Sequence, residues 1–217
     1  MNAPHLTRPA APQRARGRPR QTAEQRDDSQ RRHELLAAAA RLFRDKGFDA
    51  TSTRDIAAAV GMHSGSPFYH FKSKDALLFA VMAAGMHAAL VRQSQALQDS
   101  AAESEHSPQR LRRLIRAHFD ILHGPGNDFV PVMLYELRAL SAEQRTVLDQ
   151  LQLDYEAAWT PVLQALHDAG QLRTPVKLAR LLMLGALNWS VKWFDPDKGA
   201  SLDELTDAAL ALFLKDA

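Results

Sequence analysis

Nine histidines, 25 carboxylates and 27 lysines and arginines give the 217-residue chain ample material for chemistry, and their spacing decides which kinds are open to it. No His-Glu-x-x-His pair, glycine-rich phosphate loop or Gly-x-Ser-x-Gly elbow occurs. His118 and His123, five apart, do not share a helix face. With no cysteine there is no disulfide, thiolate metal site or thiol nucleophile, and the expectation is a reducing compartment. Catalysis therefore stands as an alternative with no motif behind it, and no metal or cofactor is expected. What the spacing does offer is contact with a polyanion. In Arg16-Gly17-Arg18-Pro19-Arg20, glycine and proline keep the backbone narrow and extended, so Arg16 and Arg18 could enter a minor groove; a solvated basic tail is the other reading. A second candidate is the run of small and polar residues from His63 to His70, just past Gly61.

Charge supports the same direction. The net charge is only +2, yet residues 1–75 hold 14 basic and eight acidic side chains, which leaves the remainder acidic. A basic end on an acidic body suits phosphate neutralisation, the main source of non-specific affinity for nucleic acid. A membrane surface is a competitor, but the basic arm lacks interleaved bulky apolar residues for insertion. The arginine-rich start has no apolar core of a signal peptide, and no later run is expected to span a bilayer, so a cytoplasmic protein is expected.

The elements that must position these residues are all helical, and no strand-like alternation competes. Residues 1–28 form a basic arm without helical periodicity. From Ser29, Leu35, Leu36, Ala39, Leu42 and Phe43 make one apolar stripe that Gly47 ends, with Phe48 folding back on the last turn. Ser52 and Asp55 have capping-box spacing for a second, short helix carrying Ile56, Ala57 and Val60. A third runs from His63 to Phe71, with Phe68 and Phe71 as core anchors. Ser73 then caps a long fourth helix containing Leu77, Leu78, Val81 and Met82. Further helices are expected up to His123, over Val130–Leu140, from Ala142 to about Ala169, from 176 to Phe194, and, after a turn over Asp195–Ala200, to Lys215. With 46% apolar residues the chain can bury a real core.

Two short helices joined through Gly61 are what major-groove reading needs, one bracing on the backbone and one facing base edges. The stretch Leu35 to Leu78 also closely resembles the DNA-binding domain of the tetracycline-repressor (TetR/AcrR) family. The resemblance rests on Ala39, Phe43, Gly47-Phe48, Thr51-Ser52-Thr53, Asp55-Ile56-Ala57, Val60-Gly61, Gly65-Ser66, Tyr69-His70-Phe71, Ser73-Lys74 and Leu77-Leu78. It implies an all-α protein: a helix-turn-helix domain over 29–75, its motif at about 52–71, and an effector-binding, dimerising body over 76–217. It also implies a repressor that leaves its operator when an effector binds. Carried over by position, the DNA-facing residues are Thr53, Arg54, His63, Ser64, Ser66, Tyr69 and His70, with Lys74 meeting phosphate. His63 and Pro67 depart from the family pattern. Proline fits only a first helical turn and pushes Ser66 away from helical geometry, so the third helix should start late.

In the body, Leu181, Leu184, Leu205 and Leu212 lie on the broad apolar faces of the last two helices, and the resemblance makes these the dimer face; burial within one subunit is the alternative. A dimer would place two recognition helices on successive major-groove faces of a near-palindromic site. Phe119, Met133, Trp159, Met183, Trp189 and Trp193 are candidates to line an apolar effector cavity, with Glu136, Arg138 and Asn188 as polar partners. Gly185 to Pro196 is similar to the matching helix of family members that regulate fatty-acid, acyl-CoA or sterol breakdown, which implies an acyl-CoA or other lipid-derived effector. An architectural DNA-binder without an effector stays open as the other reading. Operator bases, regulated genes and effector identity are beyond the sequence.

Overall fold

A computed structural model describes residues 23–62, 67–99, 108–124 and 126–215. Their order is α1 (Ala23–Lys46), α2 (Thr53–Ala59), α3 (Pro67–His70), α4 (Lys74–Asp99), α5 (Pro108–His123), α6 (Phe129–Glu136), α7 (Ala142–Ala157), α8 (Trp159–Asp168), α9 (Val176–Trp189) and α10 (Leu202–Phe213), with single 3-10 turns after α6 and α9. No strand occurs among the described residues, and the fold is all-α. An isolated bridge between Leu172 and Leu214 ties the end of α10 to the turn before α9.

Local chemistry explains most boundaries. Helices α2, α7 and α10 each open with a reciprocal capping box, in which Ser52, Ser141 and Ser201 pair with Asp55, Gln144 and Glu204; each serine cap contributes about 1 kcal/mol. The Ser73 hydroxyl accepts from Ala76 N at 3.0 Å and starts α4. At the end of α1, Gly47 adopts φ +82°, a conformation costly for any other residue, and turns the chain so that Phe48 packs on Phe43 with ring centroids 5.4 Å apart.

Two boundaries differ from expectation, and a third is as Pro67 requires. Helix α1 begins at Ala23, six residues before Ser29, because residues 23–28, an alanine and five polar residues, contain no helix breaker. The expected helix from Ala142 to Ala169 is broken at Ala158, since Pro161 has no N–H for the Ala157 carbonyl. Helix α3 is a single turn starting at Pro67, the late start that proline imposes. His63, Ser64 and Ser66 lie outside the described residues, as do Arg16 and Arg18.

Helix α4 is the spine. Contrary to the expectation from sequence, Lys74–Gln98 is long and apolar enough to cross a membrane by length and composition. Six of its apolar side chains have partners inside the fold: Leu77, Leu78, Val81 and Met82 join a core with Leu35, Phe43, Ile56 and Phe71, while Met86 and Ala89 join a second core with α5, α7, α8 and α9. The first core also takes in Val132, Leu140 and Leu148, so packing does not stop at residue 75. Where α4 passes α6 the contact is close. A methyl group at Gly85 would lie 2.1 Å from the Phe129 ring, so glycine is what lets Phe129 fit there.

Candidate functional site

The two short helices α2 and α3 present polar side chains outward on an apolar base. Ile56, Ala57 and Phe71 are buried beneath α2 and α3, which pack on each other. Arg54 is exposed, Thr53 is half-buried at the first position of α2, and Tyr69 at the tip of α3 is 84% exposed. A large aromatic phenol this exposed contributes little to packing beyond an edge contact with the His70 ring, and with Arg54 and the N–H groups at the start of α2 it forms a surface suited to phosphate and groove contacts.

Two residues expected on that surface face elsewhere. The His70 side chain is only 6% exposed and its Nδ1 lies 3.5 Å from Asp28 on α1, so its ring joins α3 to α1. Lys74 Nζ donates to the carbonyls of Phe48 at 2.8 Å and Thr51 at 3.0 Å and lies 4.2 Å from the Phe48 ring centroid. Those carbonyls belong to the α1–α2 turn, where a cation replaces missing intrahelical donors. The Thr51 hydroxyl, wholly buried, donates to the same turn at Gly47 O (2.8 Å) and Leu42 O (3.2 Å) as alternatives. Lys74 thus braces the helix-turn-helix motif from within.

The second candidate site is a cavity of about 800 Å³, its open mouth included, between α4, α5, α6, α7 and α9. Met86, Phe129, Met133 and Leu184 give it apolar walls. One wall is polar. His118 Nδ1 lies 2.8 Å from the Tyr155 hydroxyl and its Nε2 lies 3.1 Å from Asn188 Oδ1. Burial pushes the His118 imidazole down to about 4, against a smaller upward pull from Asn188, so the ring is neutral; burial likewise raises the Tyr155 phenol. A network so fully paired is rigid and keeps its groups in fixed directions.

Of the residues singled out in the sequence, Met133 and Asn188 line this cavity. Phe119, Trp159 and Met183 do not: they are fully buried in the core behind it. Glu136 faces the opposite way and accepts the Phe48 N–H at 3.1 Å. Trp189 and Trp193 are exposed on the outer face, with Trp193 against Phe194. Of the four leucines assigned to a dimer face, Leu181 and Leu212 are exposed, Leu205 is half-buried against the subunit's own core, and Leu184 turns inward to the cavity. Their neighbours Leu178 and Leu182 are exposed instead. His118 and Tyr155 were missed as site residues. The signal was present: each occupies a position on the buried stripe of its helix, His118 after Leu111, Leu114 and Ile115, and Tyr155 after Leu148 and Leu151.

Comparison with known proteins accounts for both halves. Residues 35–81 match the bacterial regulatory proteins of the tetR family, and residues 104–217 match the tetracyclin repressor-like C-terminal domain. The chain belongs to the TetR family of transcriptional regulators. This TetR-family chain is 29% identical to the HTH-type transcriptional repressor KstR2 of Rhodococcus jostii over 86% of its own length and 90% of that protein's. Among solved structures it resembles AibR in complex with isovaleryl coenzyme A and operator DNA, with a TM-score of 0.73 and 27% identity over 84% of this chain and 97% of that one. It also resembles a structure described as superantigen pfit, with a TM-score of 0.73 and 38% identity over 85% of this chain and 89% of that one. DNA-binding transcriptional regulation is therefore its function, exercised through the helix-turn-helix end.

Proposed function

We propose that this regulator is a homodimeric, cytoplasmic repressor that holds a palindromic operator until a small apolar effector, an acyl-CoA or similar lipid-derived molecule, enters the cavity. The observation that carries the reading is the double attachment of α6. Phe129, Val130, Met133 and Leu134 of that helix line the cavity. At its two ends, Asp128 pairs with Arg44 and Glu136 accepts from Phe48 N, both partners belonging to the end of α1 and its turn. A ligand that moves α6 therefore moves the turn on which α2 is built. The isovaleryl coenzyme A of the AibR complex supports the class of effector.

On this reading residues 29–75 hold DNA, with the arm through Arg16 and Arg18 adding minor-groove contacts, and 76–217 bind effector and partner. The exposed Leu178, Leu181, Leu182 and Leu212 form the patch through which the last two helices of each subunit pair, since apolar area of this kind on one face favours a partner. Dimerisation would set the two α3 tips on successive turns of the duplex.

The test is selection of bound duplexes from a random pool at near-physiological salt, followed by titration of acyl-CoA esters against the recovered DNA. A palindrome with half-sites about one turn, ~34–36 Å, apart that is released by an acyl-CoA supports the reading. Salt-sensitive, sequence-blind binding indifferent to every ester would replace it with an architectural role.

A further inference from the structure

The polar wall of the cavity bears on which functional group an effector must carry. His118 of α5, Tyr155 of α7 and Asn188 of α9 form one row along it. The amide oxygen of Asn188 can only accept, so His118 Nε2 carries the hydrogen and donates to it. His118 Nδ1 is then left with a lone pair, which accepts the Tyr155 hydroxyl hydrogen. The direction of the whole row follows. The oxygen of Asn188 is engaged, and what Asn188 has left to offer the cavity is its amide N–H groups.

The rest of the lining determines what those donors can receive. None of the lining residues is Lys or Arg, and the one charged residue among them is Glu156, which has Arg180 at 3.6 Å as its own counter-ion. The other walls are Met86, Ile121, Leu122, Phe129, Met133 and Leu184. Asn188 is itself exposed to solvent, so a carboxylate placed against it would give up only part of its water, but it would meet no free cation and stand near the carboxylate of Glu156, which disfavours the charged form. An uncharged carbonyl oxygen loses far less solvation and matches an N–H donor.

Resting on the effector reading above, we propose that the cavity selects the uncharged carbonyl of an apolar molecule, as in an ester, thioester or ketone, through the Asn188 amide, and rejects the corresponding free carboxylic acid. Tyr155 and His118 are positioning residues: they fix the face that Asn188 presents.

The experiment is isothermal titration of the full-length protein with straight-chain compounds of short, medium and long length, each as methyl ester, free acid and matched methyl ether, at neutral pH. At the length that fits, the ester is expected to bind at least about tenfold tighter than the acid, since only the acid brings an uncompensated charge into the site. The Asn188→Leu variant should lose the preference for ester over ether, because the ether offers no carbonyl to the amide; it should melt below the parent, since the buried His118 Nε2–H loses its acceptor, while still binding operator. An acid that binds as tightly as its ester overturns the proposal, as does an Asn188→Leu protein that keeps the ester-over-ether ratio; both leave the effector reading standing. Absence of binding by every ester and acid, in protein that still retains its operator, brings down the effector reading and this proposal with it.

Discussion

Tyr69 stands 84% exposed at the tip of α3, whereas Tyr155 is buried in the cavity wall with its hydroxyl on His118. The two phenols mark two ways of using a polar side chain. At the DNA-binding end the exposed Arg54 and Tyr69 project from an apolar base of Ile56, Ala57 and Phe71, so a change there should leave folding intact. In the cavity wall both His118 ring nitrogens, the Tyr155 hydroxyl and the Asn188 amide oxygen are committed to one another, so a change there alters binding and stability together. Between the two lie groups that look like the first kind and behave like the second. Lys74 has the charge of a phosphate contact and holds two backbone carbonyls; His70 has the polarity of a base reader and faces Asp28.

The sharpest break between the regions comes from the dimer patch, which touches neither site. Replacing Leu178 and Leu182 together by glutamate puts two charges on the exposed apolar face of α9 and leaves the buried face intact. Ultracentrifugation should show a monomer with unchanged helicity. Operator affinity should fall at least about a hundredfold, because each half-site then binds alone. A double variant that stays dimeric would move the interface off α9.

Next in size is Tyr69→Ala. Losing one DNA contact should weaken operator binding by about tenfold to a hundredfold at fixed salt, ~1–3 kcal/mol, with no change in melting temperature. Unchanged affinity would mean that α3 is not docked through its tip.

The cavity should answer differently, through stability. His118 titrates at about 4 in the folded protein against an ordinary value near 6.5, so as pH falls through 6.5 the unfolded chain takes up a proton that the folded one refuses. Stability should therefore drop between pH 6.5 and 4, by ~2 kcal/mol between pH 7 and 5 from this group. The His118→Phe variant should flatten that part of the denaturation profile while its operator affinity without effector stays that of the parent. An unaltered profile would place the titration elsewhere, with His123, also lowered by burial, as the first group to test.

The same contrast explains what was legible in the sequence. Local backbone rules carried through: Gly47 as a left-handed stop, the Ser52–Asp55 box, Ser73 as a cap and the delayed start at Pro67 each depend on neighbours within four residues. Direction around a helix did not always carry through. Leu184 and Leu181 both belong to the apolar stretch of α9 and, three residues apart, lie within about 60° of each other around the helix, yet one lines the cavity and the other is exposed, because packing partners from α8 and α5 decide where along that broad face the interior ends. The Lys74 and Glu136 contacts span 23 to 26 and 88 residues, and no periodicity encodes such pairs.

The smallest expected effect tests whether the two regions communicate. Glu136 lies at the far end of α6 from the Asp128–Arg44 pair, and it accepts the Phe48 N–H at 3.1 Å from outside the cavity. Glu136→Leu removes that acceptor and should cost ~1 kcal/mol of stability, the net worth of one part-buried hydrogen bond. Effector affinity measured without DNA should not change, since Glu136 does not line the cavity. The effector concentration that releases operator should rise several-fold, because linkage requires a contact that differs between two states, and this variant removes one of the two that join α6 to the α1 turn. If release is unaltered, Arg44–Asp128 alone carries the coupling, and Arg44→Ala should then abolish release while the protein still binds both ligands separately.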